Sequence, residues 1–96
     1  MTLNDIKKII KKYFPIIKDK YKVNKVGIFG SFAVGEQKKN SDIDVLVEFS
    51  GPVTFFKFTE LKDFLEEKMG RKVDLVTKNA LKPIIKDSIL NSTIYI

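Results

Sequence analysis

The stretch from Ser41 to Phe49 limits the fold more than any other part of the chain. Ile43, Val45, Val47 and Phe49 fall on one side of an extended backbone, and Asp42, Asp44, Leu46 and Glu48 fall on the other. That period of two predicts a half-buried β-strand. It also fixes the register, because a slip of one residue would bury both carboxylates. Upstream, Lys25 to Gly30 reads as a short buried strand that runs into the turn-prone pair Gly30-Ser31. Downstream, Arg71 to Thr77 reads as a third strand, with Asp74 set between apolar Val73 and Leu75.

Helical spacing fills most of the remainder. Asn4 to about Tyr21 carries Ile6, Ile9, Ile10, Tyr13, Phe14 and Ile17 on one side, with Thr2 or Asn4 as the cap. Pro15 lies inside that pattern and is expected to kink or split the helix. A brief helical turn follows Ser31 as far as Val34 and ends at Gly35; Glu36 to Asn40 is a polar loop, and Gly51-Pro52 a turn. Thr54 to Met69 is amphipathic, with Phe55, Phe58, Leu61, Leu65 and Met69 on its stripe and Gly70 as its stop. Leu81 to Leu90 reads as a helix with Pro83 in its first turn, and Thr93 to Ile96 as a short terminal strand. The order predicts an α/β (α+β) fold: one domain over residues 1–96, with a small mixed β-sheet and helices packed on one face. So small a core suggests support from a partner or from self-association, as a homo- or hetero-oligomer. Ile89, Leu90, Ile94 and Ile96 near the C-terminus are expected to be exposed apolar residues that could serve a partner or a self-interface.

Composition then narrows the chemistry. The chain has no cysteine and no histidine. Disulfides and thiolate metal sites are excluded, and catalysis must run on carboxylates, hydroxyls, lysines or a hard cation. No apolar run is long enough to cross a bilayer and no signal-peptide core stands at the N-terminus, so a cytoplasmic protein is expected, without membrane contact. The net charge of +6 comes from 17 lysines and one arginine against 12 acids. The lysines are spread along the chain and no aromatic residues interleave with them as a base-stacking platform, so solvated faces explain most of the charge.

The informative segment is Val26 to Val47. Asp42 and Asp44 stand two apart on a strand and leave the sheet on one face. Carboxylates so placed repel one another unless a cation lies between them. Mg²⁺ is the natural occupant, since it takes oxygen ligands and joins carboxylates to substrate phosphates. If the third strand pairs beside the second, Asp74 completes a three-acid cluster suited to two-metal phosphoryl-type transfer. Gly30-Ser31 supplies the other half, through close backbone approach, amide groups of the following helical turn and the Ser31 hydroxyl. That turn would grip the β- and γ-phosphates of a triphosphate while the metals hold the α-phosphate. Singly, each signal also fits an ordinary turn or a solvated acid; it is their order along the chain that points to a site.

These residues resemble the nucleotidyltransferase superfamily that includes DNA polymerase beta, and in particular its minimal nucleotidyltransferases. The family pattern of Gly-Ser, about ten residues, Asp-x-Asp and a later strand Asp is met at Gly30, Ser31, Asp42, Asp44 and Asp74. The resemblance implies the nucleotidyltransferase fold, two Mg²⁺ ions on Asp42 and Asp44, and Asp74 as ligand of the catalytic metal that helps deprotonate the acceptor. It implies transfer of AMP from ATP to a hydroxyl, with a HEPN-domain toxin as partner, one of its tyrosines as acceptor and this chain as the antitoxin. One departure stands at Val34, where the family's Gly-Ser-x-Ala-Arg-Gly has arginine; valine cannot contact phosphate as arginine does. Lys38 and Lys39 are the candidate cations in its place, and with no sizeable second domain in the chain the acceptor site is expected to come from the partner. Two other functions fit the same residues: a binding module that neutralises a partner by contact, and a lysine-based nucleic-acid binder, whose affinity would fall steeply with salt.

Overall fold

The computed structural model describes residues 1–96. Helix α1 spans Leu3–Tyr21, strand β1 Val23–Phe29, helix α2 Ser31–Val34, strand β2 Ile43–Phe49, helix α3 Phe55–Met69 and strand β3 Val73–Thr77. A 3₁₀ turn (Lys78–Ala80), helix α4 (Pro83–Ser92) and strand β4 (Ile94–Tyr95) complete the chain. The strands form one sheet in the order β3-β2-β1-β4. β2 and β3 run parallel, joined by α3, while β1 is antiparallel to both β2 and β4. This is the small mixed sheet expected from the sequence.

Local chemistry explains where each element starts and stops. Thr2 and Asp5 form a reciprocal cap on α1: the Thr2 amide donates to Asp5 Oδ2 at 2.8 Å, and the Asp5 amide donates to Thr2 Oγ1 at 3.3 Å. α1 runs through Pro15 as a single helix and is not split there. Pro15 and Lys11 are both exposed, so the carbonyl that loses its amide partner at this turn faces water. α1 ends at Lys22, the one residue other than glycine with positive φ (58°). The Ser50 amide and hydroxyl both donate to the Lys22 carbonyl, at 2.8 and 3.2 Å, and hold that corner. Thr54 caps α3, and Gly70 closes it with its amide on the Glu66 carbonyl at 2.8 Å.

A cluster of 16 buried residues lies between the sheet and the pair α1 and α3. Ile43, Val45 and Val47 enter it from β2, as the alternation requires. From β1, Val23, Val26 and Ile28 all enter it. Val23 and Val26 are three apart, and a regular strand would send them to opposite faces; an irregularity between Val23 and Lys25 turns both inward. Tyr13 and Tyr21 of α1 meet Phe64 of α3 at 5.8 and 5.6 Å between ring centroids, which fixes the two helices against each other. Burying each aliphatic side chain of this cluster is worth about 1.5–3 kcal/mol.

Two expectations about apolar residues are corrected. Phe55 is not on the buried stripe of α3 but 83% exposed, at the first residue of the helix. Near the C-terminus, Ile89, Leu90, Ile94 and Ile96 are half-buried, and the exposed apolar residues are instead Ile84 and Ile85 at the start of α4 and Tyr95 in β4. Leu46, assigned by alternation to the face opposite the main core, is fully buried there.

Candidate active site

The parallel pairing of β2 and β3 sets Asp44 directly beside Asp74. Residues in register on adjacent strands share a face, so these two carboxylates leave the sheet together. On the other side of Asp44 stands Phe29, the last residue of β1. The chain therefore turns through Gly30-Ser31 immediately next to Asp44. Asp42 precedes β2 and is exposed, as is Asp74, while Asp44 is half-buried.

Gly30 and Asp44 are in intimate contact. Gly30 has φ 70° and ψ −150°, a conformation that a side chain disfavours. A Cβ atom there would overlap Asp44 Oδ2. Glycine is thus required twice over, by the backbone angle and by the carboxylate lying against it. α2 follows at once, with the Ala33 and Val34 amides donating to the Gly30 carbonyl at 3.1 and 3.3 Å. Those two amides are used within the turn. An anion at this turn would have to rely on earlier amides and on the Ser31 hydroxyl.

The electrostatics of the site are set by burial and like charge. Burial first, and then the negative charges of Asp74 and Asp42, together push the Asp44 carboxyl up from 3.8 to about 6. No three acidic side chains are gathered tightly enough to cage a metal by themselves. The acids form an open array, with Asp44 bearing the repulsion of both neighbours. Such an array, with no histidine or cysteine in the chain, fits a hard oxygen-seeking cation whose remaining positions go to water or phosphate.

Glu66 and Arg71 belong to none of the sequence motifs, yet Glu66 holds the start of β3 and Arg71 holds the loop that leads into β2. Glu66 Oε2 accepts the Val73 amide at 2.9 Å, one residue before Asp74, and this bond holds its carboxyl below the usual range, with Lys62 assisting. Arg71 Nη1 donates to the carbonyls of Lys39 at 2.8 Å and Ser41 at 3.0 Å. The one available signal was that Arg71 is the sole arginine among 17 lysines. Val34 is 57% exposed beside the turn, and Lys38 and Lys39 are exposed in the following loop.

Comparison with known proteins gives a consistent result. Residues 10–96 match the family described as "Nucleotidyltransferase domain". A relative from Methanocaldococcus jannaschii, named as a candidate protein adenylyltransferase, is 47% identical over 96 residues, covering 99% of this chain and 98% of its own. The solved structure of a candidate minimal nucleotidyltransferase superposes with a TM-score of 0.84 at 30% identity, over 98% of this chain and 95% of that one. A toxin–antitoxin crystal structure with AMP-PNP superposes with a TM-score of 0.70 at 25% identity, over 96% of this chain and 69% of that one. With a match that spans most of its length and the parallel Asp44–Asp74 pair beside a Gly-Ser turn, the chain belongs to the nucleotidyltransferase domain family, as an enzyme of the minimal nucleotidyltransferase type.

Proposed function

We propose that this chain transfers AMP from ATP to a hydroxyl of a partner protein, with Asp42, Asp44 and Asp74 holding Mg²⁺, and that it acts in the cytoplasm as the antitoxin of a toxin–antitoxin pair. The observation that carries this reading is the charge-strained array: Asp44 is in register with Asp74, packed against Gly30, and raised to about 6 by burial and like charge. The name of the M. jannaschii relative supports protein adenylylation, and the complex with AMP-PNP supports ATP as the donor. The family resemblance makes a HEPN-domain toxin the partner and one of its tyrosines the acceptor.

In this reading Gly30 lets the triphosphate approach the backbone, and Ser31 donates its hydroxyl to a phosphate oxygen. Asp42 and Asp44 would hold two Mg²⁺ ions, which when bound neutralise charge on the phosphates and lower the pKa of a coordinated hydroxyl. Asp74, exposed on the same face as Asp44, ligates beside it and accepts the acceptor's proton. The acceptor oxygen bonds to the α-phosphorus, the bond from that phosphorus to the β-phosphate oxygen breaks, and pyrophosphate leaves. ATP labelled in the α-phosphate, incubated with Mg²⁺, this protein and the toxin, should label the toxin, and Asp44→Asn should lower transfer at least about 100-fold. An unlabelled toxin with a folded, metal-loaded protein would reject the proposal.

A second reading is favoured by exposed Val34 in place of the family's arginine, and by the exposed Ile84 and Ile85. Here the chain neutralises its partner by contact alone. That reading predicts that Asp42→Asn and Asp44→Asn leave toxin neutralisation intact, whereas adenylylation requires both acids.

A further inference from the structure

Asp42 is the site acid that no strand ladder holds. β2 begins at Ile43, and the loop from Glu36 to Asn40 leads into Asp42 without regular structure. A metal ligand on an unsupported loop would be poorly placed, since a productive site needs its ligands fixed within a fraction of an ångström. Something outside β2 has to set this backbone.

The corner between α3 and β3 does so with consecutive residues. Arg71 Nη1 donates to the Lys39 and Ser41 carbonyls at 2.8 and 3.0 Å. The Lys72 carbonyl accepts the Ile43 amide at 2.9 Å. The Asp42 backbone is thus pinned on both sides, through Ser41 before it and Ile43 after it. Within the loop the Ser41 amide donates to the Lys38 carbonyl at 3.1 Å, and the Lys38 amide donates to Ser41 Oγ at 2.8 Å, so the held segment is itself a closed turn. The Arg71 guanidinium also lies over the ring of Phe32 in α2, 5.5 Å from its centroid, and Phe32 is only 2% exposed. One side chain therefore touches the loop before Asp42 and helix α2, which begins at Ser31, and it departs from the corner two residues before the strand that carries Asp74.

We infer that Arg71 is the positioning residue of the site, fixing Asp42 against the Gly-Ser turn so that a metal-bound nucleoside triphosphate meets a preset ligand. This rests on the proposed role of Asp42 as a metal ligand. Arginine suits the task because its planar head offers several donors in a fixed fork while stacking on a ring, and it stays charged at all working pH values. Lysine keeps the charge but not the fork. The side-chain donor to both the Lys39 and Ser41 carbonyls is Arg71.

Two measurements on Arg71→Ala and Arg71→Lys separate the clamp from the function that depends on it. The first is hydrogen exchange in the nucleotide-free protein. In Arg71→Ala the Ser41 amide should exchange at least about tenfold faster, while the Val73 amide, bonded to Glu66, keeps its rate and the thermal midpoint stays within a few degrees. The second is Mn²⁺–ATP binding by calorimetry or electron paramagnetic resonance. Affinity should fall about 10- to 100-fold in Arg71→Ala, as removal of groups that orient metal ligands does elsewhere, with Arg71→Lys in between. Unchanged exchange at Ser41 would overturn the inference, and so would a loosened loop with wild-type affinity. If wild-type protein itself fails to bind Mn²⁺–ATP, the proposed nucleotide function falls, and with it the positioning role, whatever the exchange rates show of the clamp.

Discussion

At Gly30 the left-handed backbone and the missing side chain both serve Asp44, whose carboxylate occupies the space a Cβ would need. Gly30→Ala should therefore lower stability by about 1–3 kcal/mol in urea unfolding and displace Asp44 at the same time. Asp44 itself carries electrostatic strain. Its raised pKa means the folded chain holds this proton more tightly than the unfolded chain does. The stabilising share of Asp44 is full below the ordinary value of 3.8 and is lost as pH climbs through about 6. Measured against Asp44→Asn, wild-type metal-free protein should lose about 1–2 kcal/mol between pH 4 and pH 7, after allowance for solvent screening of a half-buried group. Mg²⁺ should return that loss, and its affinity should rise with pH through the same interval, because binding displaces the proton. A flat difference across this interval would show that the three acids do not strain one another. The residue types of this site were legible in the sequence, as Gly30, Ser31 and the Asp42-x-Asp44 spacing are local patterns. Arg71 was not, because its partners Lys39 and Ser41 lie 32 and 30 positions away and carbonyl acceptors leave no mark in a sequence.

Elements show the same division between local and distant causes. The alternation in β2, the glycine stop at Gly70 and the proline at the first turn of α4 all arise from neighbours in sequence, and each stands where local chemistry sets it. The β2–β3 pairing that brings Asp44 to Asp74 depends on α3 returning the chain along the sheet, which apolar spacing alone leaves undetermined. Pro15 marks the opposite case, where a local rule is overridden by context. Ile10 and Ile17 flank it in the core and hold α1 as one helix through the defect. Pro15→Ala should restore an amide donor to the Lys11 carbonyl and raise stability by about 1–3 kcal/mol, read as a higher urea midpoint with unchanged slope. Thr2→Ala should cost about 1 kcal/mol by removing half of the reciprocal cap. Neither change reaches the acid array, so nucleotide binding should remain as in wild type.

For the molecule as a whole, the division of labour runs across the sheet. One face is covered by α1 and α3 and supplies most of the burial; the end of the sheet where Gly30 lies against Asp44, with Asp74 and Asp42 nearby, carries the repulsion that this burial must support. α4 contributes no buried residue, and Ile84 is 91% exposed. Ile84→Asp should therefore change unfolding free energy by no more than about 0.5 kcal/mol. No helix is long and apolar enough to cross a membrane. The claim on which the rest stands is that the three carboxylates share a metal-bound triphosphate with the Gly-Ser turn. It is tested most directly by anomalous diffraction from crystals grown with Mn²⁺ and a non-hydrolysable ATP analogue. The expected map has manganese about 2.0–2.2 Å from carboxylate oxygens of Asp42 and Asp44, with the triphosphate between them and Gly30-Ser31. Manganese and nucleotide bound away from these acids would contradict it.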